Sequence, residues 1–357
     1  MIGAPLWRKR KHRVSAPQSK PELATAPSLL ERGLVPFLLI GCVIALFLSC
    51  LLGSTPLPPE RVFAAFFGGA DVGDRLVVWS IRLPRALAAF LVGAALGLSG
   101  AALQGLLRNP LAEPGVLGVS ASASLAATFS IYYGLVALSP WALPLAAIIG
   151  ALGATALLAL AAIRTQSVIT LILIGVGLSS FAGALMSLMM NLAPNPFSLA
   201  DMINWMLGSV ANRSFNDIGF AAPFLIAGVA ILLLTRRGLS ALTLGEEAAS
   251  GVGLNLRNQR IFTVLGAGLA TGASVALAGA IGFVGIVAPH VIRPFTRHDP
   301  ARSLIPSALF AGLLLMLADI MVRILPSQSE LKLGVVAALL GAPAFVWIAM
   351  QRRAAHD

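Results

Sequence analysis

The chain has 357 residues, of which 58% are hydrophobic and only 11% charged, and its mean hydropathy is +0.90. Soluble domains carry roughly 25% charged residues, so an ordinary water-soluble fold is excluded and an all-α, polytopic membrane protein is expected. The formal charge of +11 sits in an N-terminal tail and in loops between apolar runs, with no basic stripe interleaved with aromatics. It reads as a positive-inside bias, not as a nucleic-acid surface.

Residues 1–33 are polar, basic and rich in Pro and Ser, the composition of a disordered cytoplasmic tail and not of a cleaved signal peptide. Ten apolar spans follow, at about 34–53, 84–107, 114–133, 140–162, 168–190, 216–235, 259–279, 281–296, 303–325 and 334–351. They fall in the length range of transmembrane helices. Cys42 and Cys50 both lie in the first run, so no disulfide framework is implied. With the N-terminus inside, the inner loops hold Arg108, Arg164, Arg236, Arg237, Arg257, Arg260, Arg293, Arg297 and Arg302, and the C-terminal tail adds Arg352 and Arg353. Outer segments hold fewer cations, and the asymmetry predicts both termini in the cytoplasm.

The stretch from Arg260 to Arg293 is too long for one span and short for two. A single span would carry Arg293, Arg297, Arg302, Arg352 and Arg353 to the outside, so charge bias predicts two helices with a turn near Gly279-Ala280 sunk within the bundle. Irregular backbone at that depth requires protein or a wet cavity around it. Small residues recur every four positions at Gly93, Gly97, Ala101 and Gly105, and again at Gly266, Ala270, Ser274 and Ala278; such stripes let helix backbones approach closely. Short interfacial pieces are expected around Arg61–Phe67 and Asp201–Gly208, the latter carrying Trp205.

No GxxxxGK[ST] loop is present, so the chain is not expected to bind ATP in the P-loop manner, and no Cys/His cluster has metal-ligand spacing. No resident cofactor or metal is expected. Gly97-Leu98-Ser99-Gly100 matches the GxSG of rhomboid-type intramembrane proteases, with His290 as the only histidine within a span to serve as base. Three fixed positions in a Gly/Ala-rich helix make this a weak motif, and Ser99 reads better as a packing residue. Ionisable groups are scarce in the spans apart from Asp319, whereas a proton- or sodium-coupled carrier needs buried carboxylates. The energy source is therefore expected outside this chain.

The inner loop 236–258 predicts a short cytoplasmic helix that Thr243 would cap, with Glu246 and Glu247 at its positive N-terminus and Gly251 and Gly253 ending it. Asn109, Pro110, Glu113 and Pro114 predict a tight inner turn, with Pro in the first turn of the next helix and Glu113 as a cap.

Arg82-Leu83-Pro84-Arg85, the run Leu91–Gly118, the Leu244–Leu254 loop, the run Gly282–Arg293 containing Pro289-His290, and Leu317–Pro343 together resemble the iron-chelate and vitamin B12 permease family of type II ABC importers. The resemblance spans about 55–350, with Lys332 standing where the family carries Pro. It implies a ten-helix homodimer in the bacterial inner membrane that works with two ATP-binding-cassette subunits, which bind ATP and Mg, and with a periplasmic binding protein. The implied cargo is an iron chelate (ferric siderophore or haem), or alternatively cobalamin. Residues matching the ATPase-coupling loop are Leu244, Gly245, Glu246, Glu247, Ala248, Gly251, Gly253 and Leu254. Arg82, Arg85 and Arg323 match the arginines that meet the binding protein. Ser167, Thr170, Met186, Met189, Met190 and Asn191 fall on the span that the family places beside the pathway.

Overall fold

The structure is a computed structural model that describes residues 29–53, 57–165, 167–325 and 331–353. The expected N-terminal tail lies outside these residues up to position 28. The described elements are helical. In chain order they are α1 (Leu29–Leu51), α2 (Pro59–Phe67), α3 (Val72–Leu76), α4 (Leu83–Leu107), α5 (Val119–Tyr132), α6 (Ala142–Arg164), α7 (Val168–Asn191), α8 (Pro196–Met206), α9 (Phe215–Leu234), α10 (Arg236–Ala241), α11 (Glu246–Gly251), α12 (Leu256–Ala278), α13 (Val284–Ile292), α14 (Pro300–Ile324) and α15 (Leu333–Arg353).

Seven helical stretches are long and apolar enough to cross a membrane, and Val119–Tyr132 and Leu333–Pro343 are shorter apolar helices. Three expected spans take a different form. The second begins early: α3 runs through a π-helical segment, Val77–Arg82, straight into α4. Pro84 has no N–H to give the preceding turn, and a shift of helical register there is the usual response. The third opens as a 3-10 turn at Pro114–Leu117 before α5 starts. The eighth is the nine-residue α13 followed by a 3-10 turn at Arg293–Thr296.

Small side chains explain the packing order. α4 and α12 are buried almost all round and form the centre. On α4, a methyl at Gly93 would strike the Ala311 carbonyl of α14, one at Gly97 the Ser307 carbonyl, and one at Gly105 the ring of Pro300. Gly100 faces the other way, with its Cα against the backbone of Gly285 on α13. On α12, Gly266 and Ala270 meet Gly228 of α9, while Gly268 and Gly272 lie against Thr155 and Ala151 of α6. The sequence stripe is thus one side of a helix that is in backbone contact on several sides. Hydrophobic burial between helices contributes little in lipid, so this close approach is the main source of cohesion.

The turn between α12 and α13 is sunk inside the bundle. α12 ends at Ala278, and Gly279 takes φ 72°. The Ala278 carbonyl accepts from Ser209 N at 2.7 Å, and a methyl at Gly279 would meet the Trp205 carbonyl. Gly208 (φ 66°) packs on the Ala280 carbonyl, and Gly334 N donates to the Gly208 carbonyl at 3.2 Å. The C-terminus of α8, the break and the start of α15 are therefore bolted together.

α1, α7 and α9 show the opposite character, being apolar yet largely exposed in the single chain. On α7 the exposed set includes Ile169, Leu173, Val176, Phe181 and Leu188, one face of a helix.

Two substitutions separate packing from propensity. Gly100→Ala should cost about 1–3 kcal/mol, because the methyl must displace backbone. Gly153→Ala, where nothing lies within 4 Å, should be neutral or stabilising by up to about 1 kcal/mol. Thermal unfolding in detergent checks both; equal effects would contradict the close approach.

Candidate functional site

Chemistry-bearing residues gather at the two ends of the bundle. One end carries α10 and α11. α9 passes through Thr235 into α10 and then a 3-10 turn, Leu242–Leu244. Gly245 (φ 100°) starts α11, and Gly253 (φ 91°) follows its end. Thr243 does not cap α11: its hydroxyl donates to the Ser240 carbonyl at 2.7 Å, and no side chain caps the helix. The stabilising contact comes from a distance. Arg260 of α12, itself 5% exposed, forks onto both carboxylate oxygens of Glu246 at 2.8 and 2.9 Å. Gln259 of α12 donates to the Thr235 carbonyl at 3.1 Å, and Arg236 donates to the Ala301 carbonyl of α14 at 3.0 Å. Ala249 is fully buried. The outward side carries Leu244 at 68% and Val252 at 70% exposure, with Glu247, Ala248, Gly251 and Gly253 also exposed and Leu254 half-buried. The unit is an apolar knob on a rack fixed to α12 and α14.

The expected inner turn is present. Asn109 Oδ1 accepts from Leu111 N at 3.0 Å, its carbonyl accepts from Ala112 N at 3.1 Å, and Pro110 lies between. Pro114 opens the 3-10 turn as expected, but Glu113 does not cap that turn. Its carboxylate accepts instead from the backbone N–H of Phe283 at 3.2 Å, 170 positions on. Phe283 is the N-cap residue of α13 and has φ 66°. Glu113 thus caps the half-helix beyond the sunken turn, a partner that no local spacing reveals.

The opposite end holds the three arginines. They point inward. Arg85 chelates Asp319 of α14 at 2.8–3.1 Å, with side-chain exposures of 12% and 2%. Arg323, one turn on from Asp319, pairs with the same carboxylate at 3.2 Å and donates to the Ser49 and Leu52 carbonyls at 3.0 and 3.1 Å. Arg82, 6% exposed, donates to the Cys50 and Leu51 carbonyls at 2.7 and 2.8 Å. Helix termini leave carbonyls unsatisfied, and Arg82 and Arg323 supply the donors for the last turn of α1. The three arginines lock α1, α4 and α14 together.

The pathway candidates divide. Ser167 caps α7, its Oγ accepting from Thr170 N at 3.3 Å. Met186 is buried, Met189 is half-buried and Met190 packs on the core; Asn191 at the C-terminus of α7 is exposed. Pro289 is buried inside α13, and His290 lies in its last turn. Ser99 Oγ is buried without a hydrogen-bond partner, so no Ser99–His290 nucleophile pair exists and the protease reading falls on the geometry that such a pair requires. Among the described residues no group of three His, Cys, Asp or Glu could hold a metal ion.

Sequence reasoning missed a site on the same side as the three arginines. Trp205 and Arg213 line two adjoining cavities, of about 480 and 60 Å³. The Arg213 guanidinium lies 5.8 Å from the centre of the Trp205 ring. Burial pushes Arg213 below its usual pKa, with Asp217 opposing.

The profile of the FecCD transport family matches residues 41–351. The chain belongs to that family. It is 36% identical over 337 residues to the ABC transporter permease protein YvrB of Bacillus subtilis, covering 89% of this chain and 93% of that one. It is 39% identical over 312 residues to the vitamin B12 import system permease protein BtuC of Klebsiella pneumoniae, covering 87% and 91%. A solved inward-facing metal-chelate type ABC transporter superposes with a TM-score of 0.78 at 29% identity, covering 90% of this chain and 99% of that one. The protein is therefore a multi-pass membrane permease of the ABC importer type.

Removing one partner of a buried ion pair costs about 3–5 kcal/mol, so Asp319→Ala should lower stability by that order. Arg61 pairs with Asp74 while remaining 53% exposed, and Arg61→Ala should cost under about 1 kcal/mol. Glu113→Gln, which keeps an acceptor for Phe283, should be tolerated, whereas Glu113→Ala should cost about 1–3 kcal/mol. Melting curves of the purified variants test the ranking.

Proposed function

We propose that the chain forms, with a second copy, the channel of an importer that moves a large metal chelate across the bacterial inner membrane, powered by ATPase subunits docked on α11. The α11 unit carries this reading. Two exposed apolar side chains, Leu244 and Val252, flank a short helix, and side-chain hydrogen bonds tie the unit to α12 and α14. A surface of that shape suits insertion into a partner's groove. Arg260–Glu246 and Arg236–Ala301 would pass its displacement into α12, which ends at the sunken turn, and into α14.

The end bearing α11 is cytoplasmic in this reading, because Arg108, Arg164, Arg236, Arg237, Arg257, Arg293, Arg297 and Arg302 gather there, as positive-inside placement requires. The exposed apolar face of α7 supports a second copy across a central passage, with lipid covering α1 and α9. The opposite face receives the periplasmic binding protein. There Arg82, Arg85 and Arg323 hold the helix ends in register beneath the docking surface. Alternating access then follows from rocking of packed helices. ATP and Mg belong to the ATPase, and the chain itself binds no cofactor.

Vitamin B12 is the cargo that the named relatives favour, since BtuC proteins of several enterobacteria are 39–41% identical to this chain. A ferric siderophore or haem is the second reading, favoured by the metal-chelate description of the superposed structure.

Replacing Leu244 and Val252 together by Asp should reduce ATP-driven uptake at least about tenfold, the scale of losing interface anchors. The melting temperature should stay unchanged, because both side chains are exposed. Uptake and ATPase co-purification, measured on the same preparations, check this; undiminished transport would contradict docking through α11.

A further inference from the structure

The larger of the two cavities opens between α5, α8, the 207–213 connection and the start of α15, on the side assigned to the periplasm. Its wall combines Ser198, Asp201 and Asn204 of α8 with Asn212 and Arg213 of the connection, and Lys332. Two donors there lack acceptors. Trp205 is 8% exposed and its Nε1–H has no hydrogen-bond partner; Arg213 is half-buried, but its Nε is buried and likewise has none. A buried donor without an acceptor is costly, and native structures rarely leave one unless water, an ion or a ligand completes it. Both belong to side chains that line the same cavity.

The donors select the ligand class. Arg213 and Lys332 are matched in number by Asp201 in the larger cavity and Asp217 in the smaller. Asp217 accepts from Ser214 N and Oγ at 2.8 and 2.7 Å, both on Oδ2. Arg213 and Trp205 offer N–H groups only, so the missing partner is an acceptor, and a guanidinium donor bonds most strongly to an anionic oxygen. The seat is also preorganised. The connection is pinned by Ser209 N to the Ala278 carbonyl and by Gly334 N to the Gly208 carbonyl, so little ordering is needed when a ligand enters.

We propose that this cavity is an oxyanion seat for arriving cargo: Arg213 and Trp205 hold a carboxylate or phosphodiester oxygen on the chelate's periphery before it enters the passage. The proposal rests on the importer reading and deepens it, since it gives the cargo an anionic handle. Phospholipid carries the same phosphodiester chemistry, so the test separates the two sources.

Purified protein in dodecyl maltoside, free of phosphate, is titrated calorimetrically with acetate, inorganic phosphate, cyanocobalamin, ferric citrate and phosphatidylglycerol. Saturable binding of acetate or phosphate is expected, displaced by at least one of the two chelates. It should weaken at least tenfold in Trp205→Phe, which removes the N–H and keeps an aromatic face, and in Arg213→Lys, which keeps the charge and removes the fork. Gel filtration and melting establish that both variants fold. Binding of phosphatidylglycerol alone, binding unaffected by either substitution, or no binding at all would each overturn the proposal. ATP-driven uptake by the same protein with its ATPase is measured separately: uptake without oxyanion binding sinks the seat and leaves the importer, whereas no uptake sinks the importer whatever the titration shows.

Discussion

The structure depends on answering polar groups of the broken backbone between α12 and α13 from within the protein. A bilayer interior offers no water to a bare carbonyl or amide, and each unanswered group costs several kcal/mol there. Ser209 N answers the Ala278 carbonyl and Glu113 answers the Phe283 amide. Gly208 and Gly279, both at positive φ, let neighbouring backbone close over the turn. Placing those partners requires α4, α8 and α15 to converge on the break, and glycines on the contacting faces make that possible. The α4–α14 and α4–α13 contacts, the short α13 and the 114–117 turn are consequences of the same requirement.

Around that centre the two ends do different work. At one, Arg82 and Arg323 donate to the carbonyls at the end of α1 while Asp319 holds Arg85 and Arg323, and together they fix α1, α4 and α14 relative to one another. At the other, Arg260–Glu246 and Gln259–Thr235 fix α11 to α12. Force applied to α11 therefore meets a rigid linkage that reaches the bundle centre without passing through a flexible loop. Packed helices of this kind have discrete arrangements in preference to continuous deformation, which is what switching between two open sides demands.

Much of this was legible in the residues because periodicity and charge placement are direct consequences of the bilayer. The long spans, the sunken turn at Gly279 and the small-residue stripes of α4 and α12 all follow from patterns within a few turns of helix. The glycine-ended α11 follows in the same way. What stayed hidden depends on distant partners. Glu113 looked like a local cap and serves a residue 170 positions away. Thr243 has the spacing of a cap yet turns back to Ser240. Arg82, Arg85 and Arg323 sit at helix ends where charge counting places them at a surface, and only the fold shows that the end of α1 draws them in. Trp205 and Arg213 carried no motif at all; their signal is two unanswered donors beside a cavity.

The most direct test of the account is transport by the purified protein in proteoliposomes, with and without an ATPase subunit. Uptake of the chelate is predicted only when the ATPase and internal ATP are both present, and it should persist after the proton gradient is collapsed. Uptake by the protein alone would contradict the claim that this chain is a passive conduit driven through α11.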